Sequence, residues 1–344
     1  MKLSMQLGYA GGIKEAAAQA VELEKAGIDV IWVAEAYGFD GVSLLGYLAA
    51  KTERAQLGSG ILNIYSRTPA TLGMTAAGID FLSEGRFILG LGASGPQVIE
   101  GFHGIPYDKP VGRTKEIIDI CRRIWRREVI TNDGIYQIPL PDGQGTGLGK
   151  PLKLITKPVR PDIPVYVASL GDKNVEMTAE VADGWLPILF IPEKAKDVWG
   201  DALAKGNANR SADLGPMEVV AGGMVAIGDD VEHIRDFSRP MVALYVGGMG
   251  ARDRNFYNAL AKKYGFVKEA ETIQDLYLSG KKDEAAAAVP AEFLEKTNLV
   301  GPEGYVKERL AAFKEAGVTT LSITPVGGDP VKLVETLRGW VDDL

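Results

Sequence analysis

The chain has 344 residues, 46% of them hydrophobic and 24% charged, the balance of an ordinary globular protein long enough for one large domain or two smaller ones. Lys and Arg total 38 against 45 Asp and Glu, a formal net charge of −7, and no basic block occurs, which argues against nucleic acid and anionic membranes as partners. One cysteine, Cys121, and two histidines, His103 and His233, leave no internal disulfide and little material for a zinc site, so no metal is expected.

Residues Met1 to Gln6 lack the apolar stretch of a signal peptide. No run reaches the roughly 18 apolar residues of a spanning helix. With the single thiol, this points to a reducing, cytoplasmic setting and a small-molecule substrate.

Short β-branched runs alternate with helical patterns. The first strand is expected over Leu3 to Gly8, and a helix over Ile13 to Ala26, where Ile13, Ala17, Ala20, Val21 and Leu23 form an apolar stripe ending at Gly27. A second strand, Val30 to Val33, leads to a helix near Val42 to Thr52. A third strand covers about Ala55 to Leu62, followed by a helix from Pro69 to Leu82. Arg86 to Leu91 reads as the fourth strand and Lys109 to Arg127 as the fourth helix.

Residues 128 to 160 interrupt the rhythm with the turn-rich Asp142-Gly143-Gln144-Gly145-Thr146-Gly147, read as a surface excursion. The alternation then resumes with strand Pro164 to Ala168, helix Asn174 to Ala182, strand Gly184 to Leu189, helix Lys194 to Lys205 and strand Met217 to Ile227. Residues 228 to 297 are helical and charged without a clear strand, an inserted helical subdomain within one domain spanning 1 to 344. Its apolar residues (Phe256, Tyr257, Leu260, Phe266, Leu276, Tyr277) read as core rather than a lid or partner face. Helix Pro302 to Ala316, strand Thr319 to Thr324 and helix Pro330 to Asp343 close the chain.

Eight strands, each followed by a helix, predict an α/β fold: a closed parallel (β/α)8 TIM barrel with a helical insertion before the last strand. An open doubly wound sheet normally uses five or six strands. In a barrel the chemistry belongs at the C-terminal strand ends.

After strand two come Glu35, Tyr37, Phe39 and Asp40; Asp40 reads as a helix cap, and Glu35 as either a structural hydrogen-bond partner or a proton-transfer group. Strand three ends in Gly58-Ser59-Gly60-Ile61-Leu62-Asn63, a bend or a bulge for a flat ligand. Strand four ends in Gly90-Leu91-Gly92-Ala93-Ser94-Gly95, which matches G-x-G-x-x-G. A dinucleotide site needs that pattern after the first strand and opening a strong helix, whereas Pro96 to Gly104 makes a poor one, so only a glycine-rich loop near a ligand is retained. Strand five ends in Ser169-Leu170-Gly171-Asp172, where backbone N–H groups at a helix start and the Ser169 hydroxyl form a candidate phosphate cradle; Ser169 or Asp172 as N-cap is compatible with it. His103 lies in a loop after strand four and is a candidate proton donor; His233 falls in the insertion.

These stretches resemble the luciferase-like superfamily, above all its branch using the deazaflavin coenzyme F420, which includes methylenetetrahydromethanopterin reductases. The resemblance rests on Gly58 to Ile61 with Tyr65-Ser66-Arg67-Thr68-Pro69, on the run Asp80 to Gly92, on Gly112-Arg113 with Glu116, on Pro164 to Ala168, and on Ala182-Asp183-Gly184-Trp185. It implies a tricyclic ring lying over a non-proline cis peptide, at Ser59–Gly60 or Gly60–Ile61. It also implies a tail phosphate at Ser169, Leu170 and Gly171. Cofactor contacts are thus expected from Ser59, Gly60, Ile61, Asn63, Gly92, Ala93, Ser94, Ser169, Leu170 and Gly171, with protonation from Glu35, Tyr65, His103 or solvent.

Several deazaflavin enzymes carry an acid followed by His after strand two; here the pair is Glu35-Ala36. Members acting on sugar phosphates use a Glu where this chain has Gly95, which argues against that chemistry. Expected is an F420-dependent oxidoreductase, in family habit a homodimer, acting on C=C, C=O or C=N bonds. An FMN-dependent monooxygenase and a non-catalytic binding barrel are the alternatives.

Overall fold

Strand β1 (Lys2–Leu7) hydrogen-bonds on one side to β2 (Val30–Val33) and on the other to the last strand, and this contact closes the barrel. The computed structural model describes residues 1–7 and 12–343, so Gly8, read as the end of the first strand, lies outside the described residues. Between β1 and β2 runs α1 (Ile13–Ala26), stopped by Gly27 in the left-handed region at φ 118°, where a side chain is disfavoured. Then follow α2 (Gly41–Ala49), β3 (Gln56–Ser59), β4 (Leu62–Asn63), α3 (Pro69–Leu82), β5 (Phe87–Gly92), α4 (Pro96–Gly101) and α5 (Pro110–Trp125). Asp40 caps α2 by accepting the Ser43 N–H at 2.8 Å, as expected, and Thr68 caps α3 ahead of Pro69.

The excursion after α5 carries one small ribbon, β6 (Asn132–Asp133) against β7 (Gln137–Ile138). The chain resumes with β8 (Val165–Ala168), α6 (Asp172–Val181), β9 (Gly184–Trp185), α7 (Pro192–Ala208) and β10 (Glu218–Ile227). The insertion is helical: a 3-10 stretch, then α8 (Arg239–Ala243), a π-helical turn at Leu244–Gly248, α9 (Phe256–Lys263), α10 (Val267–Leu278), α11 (Lys282–Ala287) and α12 (Ala291–Thr297). β11 (Leu299–Gly301), α13 (Glu303–Glu315), β12 (Thr320–Pro325) and α14 (Pro330–Asp342) end the fold.

Eight parallel strands close in the order β1-β2-β3-β5-β8-β9-β10-β12 and back to β1, a TIM barrel. The third strand is broken: β4 continues beyond a kink and pairs β5 at Leu62↔Leu91. The sixth is shorter than expected, ending at Trp185, and β11 is an unpredicted strand beside the far end of β10. Pro96 to Gly101 does form a helix, but of six residues.

Inside the barrel, Trp32, Ile88, Tyr166 and Val220 form a plug below the mouth. Trp32 dictates its neighbours: a Cβ on Gly58 would sit 2.2 Å from two of its ring carbons. Outside, the insertion is keyed to the barrel by Tyr264, whose phenol donates to the Leu189 carbonyl and accepts the Ile191 N–H; Leu260 is core as expected, whereas Phe256, read as core, is exposed because it sits on the outer side of the first turn of α9. Among the described residues no helix is long and apolar enough to cross a membrane.

Candidate active site

At the C-terminal end of the third strand the peptide Gly60–Ile61 is cis. Its carbonyl side is held from two directions: the Gly60 N–H donates to the Val33 carbonyl at 2.7 Å, and the Gln6 side-chain amide donates to the Gly60 carbonyl at 3.1 Å. Ser59 is fully buried, and its hydroxyl both donates to the Gly90 carbonyl and accepts the Gly90 N–H, each at 2.8 Å. The glycines of strand four answer to this kink. A Cβ on Gly90 would lie 1.7 Å from the Ser59 carbonyl oxygen, and one on Gly92 would lie 2.8 Å from the Ile61 side chain. Their spacing therefore serves close strand packing. Beyond them Ala93 is half-buried and Ser94 exposed, the latter with φ 56°.

Asn63 shapes the next loop by accepting the Tyr65 and Ser66 N–H groups, and its amide nitrogen lies 3.5 Å from Nε2 of His103. Those contacts bring Asn63, His103 and Tyr65 to one side of the mouth. The Tyr65 phenol donates to the Asp108 carbonyl at 2.9 Å, and its ring packs 5.2 Å from that of Tyr107. Burial first, and the Tyr107 phenol second, push Tyr65 well above the ordinary phenol value, so it stays protonated.

Glu35 is not a free acid. Its two oxygens accept both terminal nitrogens of Arg67 at 2.7 Å each, and one also accepts the Gly41 N–H at 3.0 Å. Arg67 is correspondingly raised above its ordinary value by this partner. The pair ties the loop after β2 to the loop after β4.

Across the mouth lies the Ser169–Lys173 turn. The Ser169 carbonyl accepts the Trp185 indole N–H at 2.9 Å, and the Leu170 carbonyl accepts the Trp199 indole at 3.0 Å. In planar trans peptides N–H and C=O point oppositely, so turning these carbonyls to the buried indoles turns the Leu170 and Gly171 N–H groups outward. The first N–H groups of α6 join them, and the helix dipole adds partial positive charge. Neither Ser169 nor Asp172 caps this helix; Gly171 does. The Ser169 hydroxyl lies 2.9 Å from that of Thr178, which donates to the Asn174 carbonyl. A phosphate would be held here by backbone, beside Asn174, whose buried amide oxygen has no partner.

Sequence reasoning missed Gln6, Trp185 and Trp199 as site-builders and gave Arg67 no role. Arg67 and Trp185 carried a signal, standing within the strand-three signature and the Ala182-Asp183-Gly184-Trp185 run. Asp80 and Arg86 of the run Asp80 to Gly92 are structural: Arg160 forks onto buried Asp80, and Arg86 gathers the carbonyls of Ala49, Thr52 and Ala55.

The luciferase-like monooxygenase profile matches residues 1–320. A putative coenzyme F420-dependent oxidoreductase of Mycobacterium tuberculosis is 40% identical over 96% of this chain and 97% of its own length. A 5,10-methylenetetrahydromethanopterin reductase of Archaeoglobus fulgidus is 28% identical over 91% and 90%. Among solved structures, the coenzyme F420-dependent tetrahydromethanopterin reductase of Methanopyrus kandleri superposes with TM-score 0.80 at 21% identity, over 98% of this chain and 97% of that one. An F420-dependent secondary alcohol dehydrogenase superposes with TM-score 0.74 at 16% identity, over 99% of each chain. The two structural likenesses bear on the fold.

Proposed function

The chain belongs to the luciferase-like monooxygenase family, and from that premise we propose that it is an F420-dependent oxidoreductase moving a hydride between the deazaflavin and a small organic substrate across a C=C, C=O or C=N bond. The observation that carries this reading is the pairing of two features across one mouth: a braced Gly60–Ile61 peptide, and a turn whose carbonyls two indoles hold inward. Together they fit a flat ring on one side and a phosphate-bearing tail on the other. The F420-dependent name of the mycobacterial relative supports this cofactor over FMN.

In this reading Ser59, Gly60, Ile61 and Asn63 support the ring face, Gly92, Ala93 and Ser94 border it, and the backbone of Ser169, Leu170 and Gly171 holds the phosphate. When bound, F420 supplies hydride at a carbon centre. The protein orients and encloses. Glu35 and Arg67 lock the mouth, Tyr65 commits its proton to the Asp108 carbonyl, and His103 beside Asn63 is left as the side chain able to carry a proton.

We also assign the outer faces of α2 and α3 to a second copy of the chain. Tyr47, Met74, Phe81 and Leu82 are exposed there. α2 has no charged residue and the sole charge of α3, Asp80, is buried. Gly46 and Gly78 face open space, although a mid-helix glycine costs about 0.5–1 kcal/mol. Close approach of a partner helix accounts for both, and exposed apolar side chains of this kind mark a contact face. A monomeric mass by light scattering at micromolar concentration would remove this assignment.

The catalytic reading is tested by turnover. Protein mixed with reduced F420 and a panel of enones, aldehydes and cyclic imines is expected to oxidise the cofactor with at least one acceptor. Oxygen consumption with reduced FMN, and none of this F420 oxidation, would move the chain to monooxygenase chemistry.

A further inference from the structure

The insertion contains a local structure that needs explaining. At Leu244–Gly248 the backbone widens into a π-helical turn, a form that is rare and concentrated at functional sites. Two buried asparagines maintain it. The Asn255 amide donates to the carbonyls of Tyr245 and Val246 at 2.9 and 3.1 Å, while its oxygen caps α9. The Asn258 amide donates to the Val246 and Ala270 carbonyls. Below, Tyr277 packs so tightly that a Cβ on Gly247 or Gly248 would lie 2.5 or 2.3 Å from it. The product of this framework is the placement of Tyr245, edge-on to Tyr257 at 4.7 Å.

The first turn of α9 bridges the two halves of the mouth. Phe256 lies 3.5 Å from where a Cβ on Gly171 would stand, against the phosphate-binding turn. Tyr257, the next residue, is raised above the ordinary phenol value by burial first and by Tyr245 and Tyr107 after it, and the Tyr107 ring packs tilted against that of Tyr65. A wall of phenol rings thus runs from the strand-three loop to the insertion. Of the charges flanking it, Glu35 pairs with Arg67, and Asp108 pairs with Arg113, whose guanidinium lies over the Tyr65 ring.

We propose that Tyr245 and Tyr257 of the insertion, with Tyr107 and Tyr65, form the acceptor-binding wall and select a neutral, flat, conjugated molecule such as an aromatic enal or enone over its anionic analogue. The selection rests on the F420 reading for the identity of the mouth as the active site. Its physics is general: aromatic faces gain from stacking on flat partners, and a carboxylate brought there loses hydration while Arg67 and Arg113 are already paired with carboxylates.

The test uses cinnamaldehyde and 4-carboxycinnamaldehyde, titrated calorimetrically into the full chain with and without F420, alongside a titration of F420 itself. The neutral compound is expected to bind about tenfold or more tightly than the anion. Tyr257→Leu should weaken the neutral compound about three- to tenfold, while Tyr257→Phe, which keeps the ring, stays within about twofold, as does F420 in both variants. Equal binding, preference for the anion, binding of neither, or indifference of the neutral compound to Tyr257→Leu would overturn the proposal. If Tyr257→Leu does not fold, the comparison of the two compounds on the unaltered chain decides alone. Failure of F420 to bind, with the neutral preference intact, strikes the cofactor reading and leaves the wall standing.

Discussion

Replacing Glu35 by Ala separates the two roles the sequence left open for it. The Glu35 side chain is 8% exposed and that of Arg67 17%, and three donors converge on the carboxylate. Its removal leaves a largely buried guanidinium without its counter-charge and the Gly41 N–H without an acceptor. Breaking such a pair costs about 3–5 kcal/mol, and the residual exposure of Arg67 favours the lower end. At about 2.1 cal/mol/K per residue, the unfolding entropy of 344 residues is roughly 0.7 kcal/mol/K, so a loss of about 3 kcal/mol lowers Tm by about 4 °C. Differential scanning fluorimetry reads that shift. Glu35→Leu combined with Arg67→Met should recover most of it, since an apolar pair of similar volume replaces the ion pair without an orphaned charge. An unchanged Tm in Glu35→Ala, together with abolished turnover, would refute the positioning role and restore Glu35 as the catalytic acid.

Trp199→Phe keeps the parallel stack on Phe190 but removes the donor to the Leu170 carbonyl; stability should fall by about 1–3 kcal/mol and F420 affinity by about tenfold, read by melting and by titration. Gly58→Ala places a methyl 2.2 Å from the Trp32 ring, and soluble folded yield should collapse, with a Tm loss corresponding to about 3 kcal/mol or more. Burial is the leading cause raising Tyr65, Tyr166, Tyr257 and Tyr264 above the usual phenol value near 10. Above that pH the unfolded chain releases protons that the folded chain retains, so stability falls as pH rises, by up to about 1.4 kcal/mol per pH unit for each phenol. Tm measured from pH 8 to 11 should be level at first and then drop past 10; a Tm that does not drop there would contradict the buried, neutral phenols.

The barrel was legible because period-two and period-3.6 patterns alternate through most of the chain, and caps such as Asp40 and Thr68 act within a few residues. β11 escaped because three residues carry no periodicity. The site was legible as positions and much less as roles. Gly58-Ser59-Gly60 and Gly90-Leu91-Gly92 stood out, but their partners, the Trp32 ring and the Ser59 carbonyl, come from other strands and cannot be inferred from local spacing. The same holds for the indoles of Trp185 and Trp199, which turn the strand-five loop outward from positions well along the chain. Ser169 was picked for its hydroxyl, whose neighbour in the fold, the hydroxyl of Thr178, lies nine residues on and is not visible in local spacing. Residue type showed where polar chemistry gathers; only the tertiary contacts showed which atoms remain free.

Fluorescence titration of the purified chain with F420 and, in parallel, with FMN bears most directly on the central claim. The account predicts saturable quenching by F420 with clear preference over FMN, weakened in Trp199→Phe. Tight FMN binding with no response to F420 would contradict it.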